Sequence, residues 1–256
     1  MPLWYGPTPV KRGDTHFGAG VSSTFLVGGT RSSIRNAQAI ESGGRAPVAT
    51  PTGTAQGNDA FTPGALAQAA AAPGIAPGVT ARVGLGSEFE AGLLYTGRSG
   101  RVDVRRSFDL KDNRRFSIGL AAYTHLYGQP ANDALASVAT QSVRGYGGEI
   151  PVLVGITSDS GEMGVWGGLR AGGEWIKLGR VTSEPKNVTF GANPVGLEAT
   201  RFFVGPTVGG MVGYKIFHLM AELMASLETI QGSYGEVRGS VRGLALTPST
   251  ALVFDF

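Results

Sequence analysis

The chain has 256 residues with 41 Gly, 14 Pro and no Cys, long enough for one large all-β domain, and the missing Cys excludes a disulfide framework or a thiolate metal site. Its formal net charge of +3 comes from scattered Lys and Arg, which argues against the clustered basic stripe of a nucleic-acid binder. Charged residues make up only 16%, below the usual quarter of soluble domains, as suits a surface that meets lipid over part of its area.

No apolar run reaches the roughly 18 residues of a membrane-spanning helix. Met1-Pro2-Leu3-Trp4 is not followed by the apolar core of a secretory signal, so an exported form is expected to start at or near its mature end in this numbering. Residues 1–13 carry Pro2, Pro7, Pro9, Lys11 and Arg12 and read as an irregular lead-in. The stretch 15–27 puts Phe17, Ala19, Val21, Ser23 and Phe25 on one face and is the first predicted strand.

From 28 to 78 the composition shifts to Ala, Gly, Pro, Ser and Thr. A loop this long is uncommon inside a compact domain and is usually functional or disordered. A mobile surface loop is expected; the alternative is a loop that folds over or into the rest of the domain or docks a partner, with a short helix at 65–72.

Residues 79–96 form the clearest hairpin. Val79, Ala81, Val83 and Leu85 alternate with Thr80, Arg82, Gly84 and Gly86, Ser87 and Glu88 turn the chain, and Phe89, Ala91, Leu93 and Tyr95 resume the apolar face. Over 101–110, Val102, Val104, Phe108 and Leu110 oppose Arg101, Asp103, Arg105 and Asp109, and Arg106 interrupts the apolar row. After a tight turn at 111–114, Phe116, Ile118, Leu120, Ala122 and Leu126 make the next face, followed by a looser polar segment at 128–142.

Strands at 143–157 and 162–178 pair about a turn at 158–161, and in the second Met163, Val165, Leu169, Ala171 and Trp175 oppose Glu162, Trp166, Arg170 and Glu174. Strands at 199–212 and 216–230 pair about 213–215, with Phe217, Leu219, Ala221, Leu223, Ala225 and Leu227 opposite His218, Met220, Glu222, Met224, Ser226 and Glu228. Loops are predicted at 179–196 and 231–239. In the closing stretch, 246–256, Leu252, Phe254 and Phe256 share one face and Ala251, Val253 and Asp255 the other.

The count is ten strands, with eight or twelve open. Tight turns follow strands two, four, six and eight, and mostly long connections follow one, five, seven and nine, the pattern of short periplasmic turns and longer external loops. Phe89, Phe108, Phe116, Tyr214, Phe217, Phe254 and Phe256 flank the tight turns or the C-terminus, whereas Phe25, Tyr95, Tyr127 and Trp175 flank the opposite strand ends. Membrane interfaces select two such aromatic levels. Pro151, Pro206 and Pro248 fall inside predicted strands, where each lacks a ladder donor, so bulges or rim positions are expected there. The expected fold is an all-β, antiparallel, up-and-down transmembrane β-barrel over 14–256; a soluble barrel or sandwich is the alternative.

Phe256 preceded by the alternating Leu252 and Phe254 resembles the C-terminal assembly signal by which bacterial outer-membrane β-barrels are recognised and inserted. The run 81–93, Ala-Arg-Val-Gly-Leu-Gly-Ser-Glu-Phe-Glu-Ala-Gly-Leu, resembles hairpins of the same class, and the whole chain resembles small bacterial outer-membrane barrels in general architecture. The resemblance implies residence in the bacterial outer membrane, with 1–13 as a periplasmic lead-in and 28–78 as an external loop. It implies contact with outer-membrane lipid, lipopolysaccharide and the barrel-assembly machinery.

His16, His125 and His218 sit on separate strands without metal-ligand spacing, and no cofactor is implied. Some barrels of this class are lipid-modifying enzymes, but the His-x-Ser arrangement of the deacylases is absent, because Tyr127 stands two positions after His125. Strand parity sends Arg82, Glu90, Arg101, Asp103, Arg105, Arg170, Glu174, Glu222 and Glu228 into the barrel interior, where both signs can pair across the lumen as a polar plug. The expected function is that of a non-enzymatic structural or interaction component of the cell envelope that docks a partner through its loops or rim. A small passive channel for solutes or an apolar ligand is the alternative, and a lipid-modifying enzyme comes third.

Overall fold

A computed structural model of the chain describes residues 2–43, 59–71, 73–96, 99–125, 135, 138, 143–178, 196–235 and 237–256. Ten strands follow one another: β1 (Thr15–Val27), β2 (Gly74–Gly86), β3 (Phe89–Tyr95), β4 (Ser99–Asp109), β5 (Arg114–His125), β6 (Val143–Thr157), β7 (Met163–Leu178), β8 (Leu197–Tyr214), β9 (Phe217–Tyr234) and β10 (Val237–Asp255). Each pairs antiparallel with its sequence neighbour, and β1 pairs with β10, so the sheet closes into a barrel with no free edge. Closure satisfies every strand's ladder internally, which a lipid environment demands because it offers no water to an open edge.

The tight turns cluster at one end, here the lower end, together with Thr15 and Phe256, whose backbones exchange hydrogen bonds of 2.8 and 2.9 Å. Two of these turns carry positive φ at both central residues, Ser87 and Glu88 in one, Asp112 and Asn113 in the other. Such turns carry the twist of paired strands through a short connection, two residues at 87–88 and four at 110–113.

Among the described residues the only register shift lies between Gly84 and Gly86 in the β2–β3 pairing. The bulges expected at Pro151, Pro206 and Pro248 are not there. Each proline drops out of the ladder to one neighbour, β5, β9 and β1 respectively, and keeps its register with β7, β7 and β9. A missing N–H removes bonds on one side only, and the long flanking ladders hold the register.

Connection lengths also differ from expectation at one place. The loop predicted at 231–239 is mostly strand, since β9 runs to Tyr234 and β10 starts at Val237. The wall made by β8, β9 and β10 therefore has strands of 18, 18 and 19 residues, against 7 in β3. About 9–11 tilted residues cross a bilayer, so the tall wall continues well past the hydrocarbon at the upper end.

The stretch 28–78, expected as a mobile surface loop, holds two helices on that tall wall, α1 (Gly29–Ser42) and α2 (Thr62–Ala71). β2 also begins inside it, at Gly74. Residues 44–58 of this stretch lie outside the described residues. Helix α2 is buried along its length except at Pro63 and packs on the upper parts of β7, β8, β9 and β10. Small residues permit the approach: a Cβ on Gly64 would come within 2.5 Å of the Ala37 Cβ in α1, and one on Gly239 within 2.8 Å of Thr62.

Candidate functional site

The segment 2–10 lies inside the lower lumen instead of outside it as a lead-in. Leu3 and Trp4 are each 2% exposed, and Tyr5 and Val10 are also buried. Glycines in the wall make the space. A Cβ on Gly78 would touch the Trp4 ring at 3.0 Å, one on Gly155 would meet Pro7 at 2.8 Å, and one on Gly84 would meet the Lys11 carbonyl at 2.0 Å. An eight-stranded barrel is filled by its own side chains. Two further strands and a glycine-lined wall admit a whole chain segment, so the lumen is closed by more than side chains reaching across it.

An extended segment cannot satisfy its own backbone, and here wall side chains do so. The Leu3 N–H donates to Glu222 Oε1 at 3.2 Å, and the Val10 N–H to Glu90 Oε2 at 2.9 Å. Arg101 donates to the Pro2 carbonyl and the Tyr5 hydroxyl, both at 3.3 Å. Arg105 donates to the Gly6 carbonyl and, at 3.2 Å, to that of Thr8, and Ser107 donates to Pro7 at 2.9 Å. The Arg82 and Arg105 guanidiniums both lie over the Tyr5 ring, 3.9 and 4.3 Å from its centroid.

These wall residues also bind one another in a continuous chain. Glu90 bridges Arg105 and Arg82 at 2.7 Å each; Arg82 continues to Asp103, and Asp103 to Arg101 at 3.7 Å. Glu149 joins Arg101 at 2.9 Å to Arg170 at 2.7 Å, and Arg170 reaches Glu222 at 3.5 Å. Arg82, Arg101, Arg105 and Arg170 thus face four carboxyl groups, those of Glu90, Asp103, Glu149 and Glu222. Removing such groups from water costs several kcal/mol per ion, and the alternation of arginine and carboxyl along the chain offsets that cost by pairing.

A second group sits higher. Arg201 holds Glu174 at 2.8 Å and Glu228 at 2.5 Å, and His125 Nε2 is 3.5 Å from Glu174. Between the two groups is a chamber of about 110 Å³, floored by Pro2 and roofed by Ala70 and Ala71 of α2. At the lower mouth a larger cavity of about 470 Å³ lies beside Gly6, Pro7, Thr8 and Pro9. Asp255 stands there between His218, at 2.9 Å, and His16, at 3.4 Å. Among the described residues no cluster of His, Asp or Glu has the form of a metal site.

All nine residues assigned to the interior by strand parity lie buried in the lumen, seven in the lower chain and Glu174 and Glu228 in the upper group. That assignment omits Glu149 and Arg201, which complete the two groups, and the whole plug segment. Two clues were present. Glu149 shares parity with Pro151 and Leu153 on the inner face, and a Leu-Trp-Tyr run is costly to leave exposed in a lead-in.

The outer face is the reverse of a soluble surface. Phe17, Phe25, Val79, Leu93, Leu120, Val165, Leu219 and Leu252 are all exposed. Aromatic pairs mark the lower belt: Phe108 with Phe116 at 5.9 Å, Phe217 with Phe254 at 5.3 Å, and Phe17 with Phe256 at 6.2 Å. Tyr146 and Trp175, 5.3 Å apart, mark the upper one. Tyr127 lies outside the described residues. Arg106 points outward between Phe89 and Phe108, its guanidinium 5.1 and 4.8 Å from their ring centroids, so its charge sits at the belt instead of in the hydrocarbon. Leu252 and Phe256 are exposed at the end of β10, and Phe254 is half-buried beside Phe217.

No family model and no curated protein matches the sequence. Among solved structures, Neisserial surface protein A aligns over 96% of this chain and 100% of its own at 10% identity, with a TM-score of 0.36. The outer membrane protein OprG from Pseudomonas aeruginosa aligns over 97% and 98% at 10% identity and a TM-score of 0.35. The outer membrane protease OmpT from Escherichia coli aligns over 100% and 99% at 9% identity and a TM-score of 0.36. The chain's own geometry decides its class: a closed ring of ten antiparallel strands, apolar outside, belted by aromatics at two levels and charged within, is a membrane-spanning barrel of the bacterial outer-membrane type.

Proposed function

We propose that this barrel conducts no solute and catalyses no reaction, and that it serves the cell envelope as a structural or interaction component whose partners meet its ends. The observation that carries this reading is the double occupation of the lumen, by residues 2–10 below and by α2 above. The charged lumen residues are engaged with one another and with the plug backbone, which favours a structural role for them over ion selection. Lipopolysaccharide and outer-membrane lipid are the expected surroundings of the outer face, and the barrel-assembly machinery is the expected reader of Leu252, Phe254 and Phe256.

Planar-bilayer recording of the purified protein tests the reading. Inserted wild-type barrels are expected to stay silent, and conductance should appear only when 2–10 and α2 are both removed. Stable, porin-sized steps from the intact chain would overturn the proposal and favour a passive channel.

A further inference from the structure

The lower lumen holds an extended segment of the same chain, bonded to the wall by side chains of β3, β4 and β9. Arg101, Arg105 and Ser107 donate to backbone carbonyls of the segment, and Glu222 and Glu90 accept from its backbone N–H groups, so most of the recognition is of an extended main chain. Side-chain selection comes from the space over Gly78 and Gly155, which suits an aromatic followed by proline. The fit to Trp4 is incomplete, because its buried Nε1 has no hydrogen-bond partner.

Three features make the occupant exchangeable. Each wall arginine keeps a carboxylate partner in the wall itself, so withdrawing the segment breaks no ion pair, the step that is most costly in a buried network. Among the described residues the segment meets the sheet in one β-bridge, Arg12 with Gly84, continued by backbone bonds of Gly13 and Asp14 to Gly84, and Gly13 turns at φ 87° in open surroundings. The cavity of about 470 Å³ flanks Gly6 to Pro9 from the lower mouth inward and gives an incoming chain a place to begin replacing the segment.

We propose that the lower lumen binds an extended, proline-containing peptide with an apolar aromatic lead, presented from the tight-turn side, and that residues 2–10 occupy this site in cis as an exchangeable plug. Lys11, Lys215, His16 and His218 face Asp14, Glu162 and Asp255 around the mouth, so entry selects extended shape over charge. This deepens the interaction reading by naming a partner class. The two fail separately, since one is read by conductance and the other by binding in detergent.

The test uses the full chain carrying a protease site inserted at the exposed Gly13, so that the barrel folds with its plug in place and is cut afterwards. The probe is a fluorescent synthetic peptide of residues 2–10. Cut barrel is expected to take up one peptide per barrel and release its own segment, as read by anisotropy and mass spectrometry. Uncut barrel should take up at least ten-fold less, because a tethered segment competes at about millimolar effective concentration. A Trp4→Phe probe should bind at least as well, and a probe with Asp in place of Leu3 and Trp4 should not bind. Retention of the cut segment against excess probe would overturn the proposal, as would equal uptake by cut and uncut barrels.

Discussion

In the lower lumen an extended segment lies against arginine and glutamate; in the upper lumen a helix lies against Leu26, Val143, Ile176, Leu197, Ala199, Ile230 and Ala245. One tube is filled in two chemical ways, and the difference follows from the backbone of the filler. An extended chain with prolines at positions 2, 7 and 9 makes no ladder of its own, so the wall must supply donors and acceptors, and these are mostly charged groups that need further partners. Helix α2 satisfies its interior backbone internally, so its wall needs only shape, and alanine lets it lie close. Gln68, one of two buried polar residues of α2 with Thr62, donates to the carbonyls of Leu135 at 3.3 Å and Val138 at 3.5 Å.

The contrast is broken most severely at Glu149. Glu149→Ala removes the shared partner of Arg101 and Arg170 and leaves two buried guanidiniums short of a carboxylate. A loss of about 3–5 kcal/mol is expected, read as a lower urea midpoint for unfolding in micelles. In the upper half the corresponding test is Leu66→Ala, which opens a cavity in a fully buried position of α2. About 2–5 kcal/mol is expected. It should appear as local loosening, with protease cutting near the helices while the strands stay heat-modifiable. Equal spread of both defects through the barrel would show that the halves are one cooperative unit.

A smaller effect sharpens the comparison. Ser107→Ala removes one donor to the Pro7 carbonyl and should cost about 1 kcal/mol. It should be visible as faster release of a cut 2–10 segment and absent from the urea midpoint of the strands.

The strands and their inward residues were legible because a barrel keeps period two along its whole wall, so parity alone carries Arg82, Glu90, Arg101, Asp103, Arg105, Arg170, Glu174, Glu222 and Glu228 to one side. Arg201 was harder: it stands beside Phe202 and Phe203, two large apolar residues of opposite facing, so the local pattern does not reveal its side. The plug has no period to read. Prolines interrupt it, and its burial depends on sockets contributed by β2, β4, β6 and β9, which no local window contains. Helix α2 is buried almost all round, so it lacks the stripe that marks a surface helix, and its alanines read equally well as a loop.

Hydrogen exchange of the segment 2–10 in the micelle-bound protein tests the central claim most directly. The Leu3 and Val10 amides, bonded to Glu222 and Glu90 inside a closed ring, are expected to exchange far more slowly than an exposed chain, at the rate at which the segment leaves the lumen, and faster than the strand amides. Complete exchange of the whole segment within the first time point, while the strands remain protected, would place it outside the lumen and contradict the account.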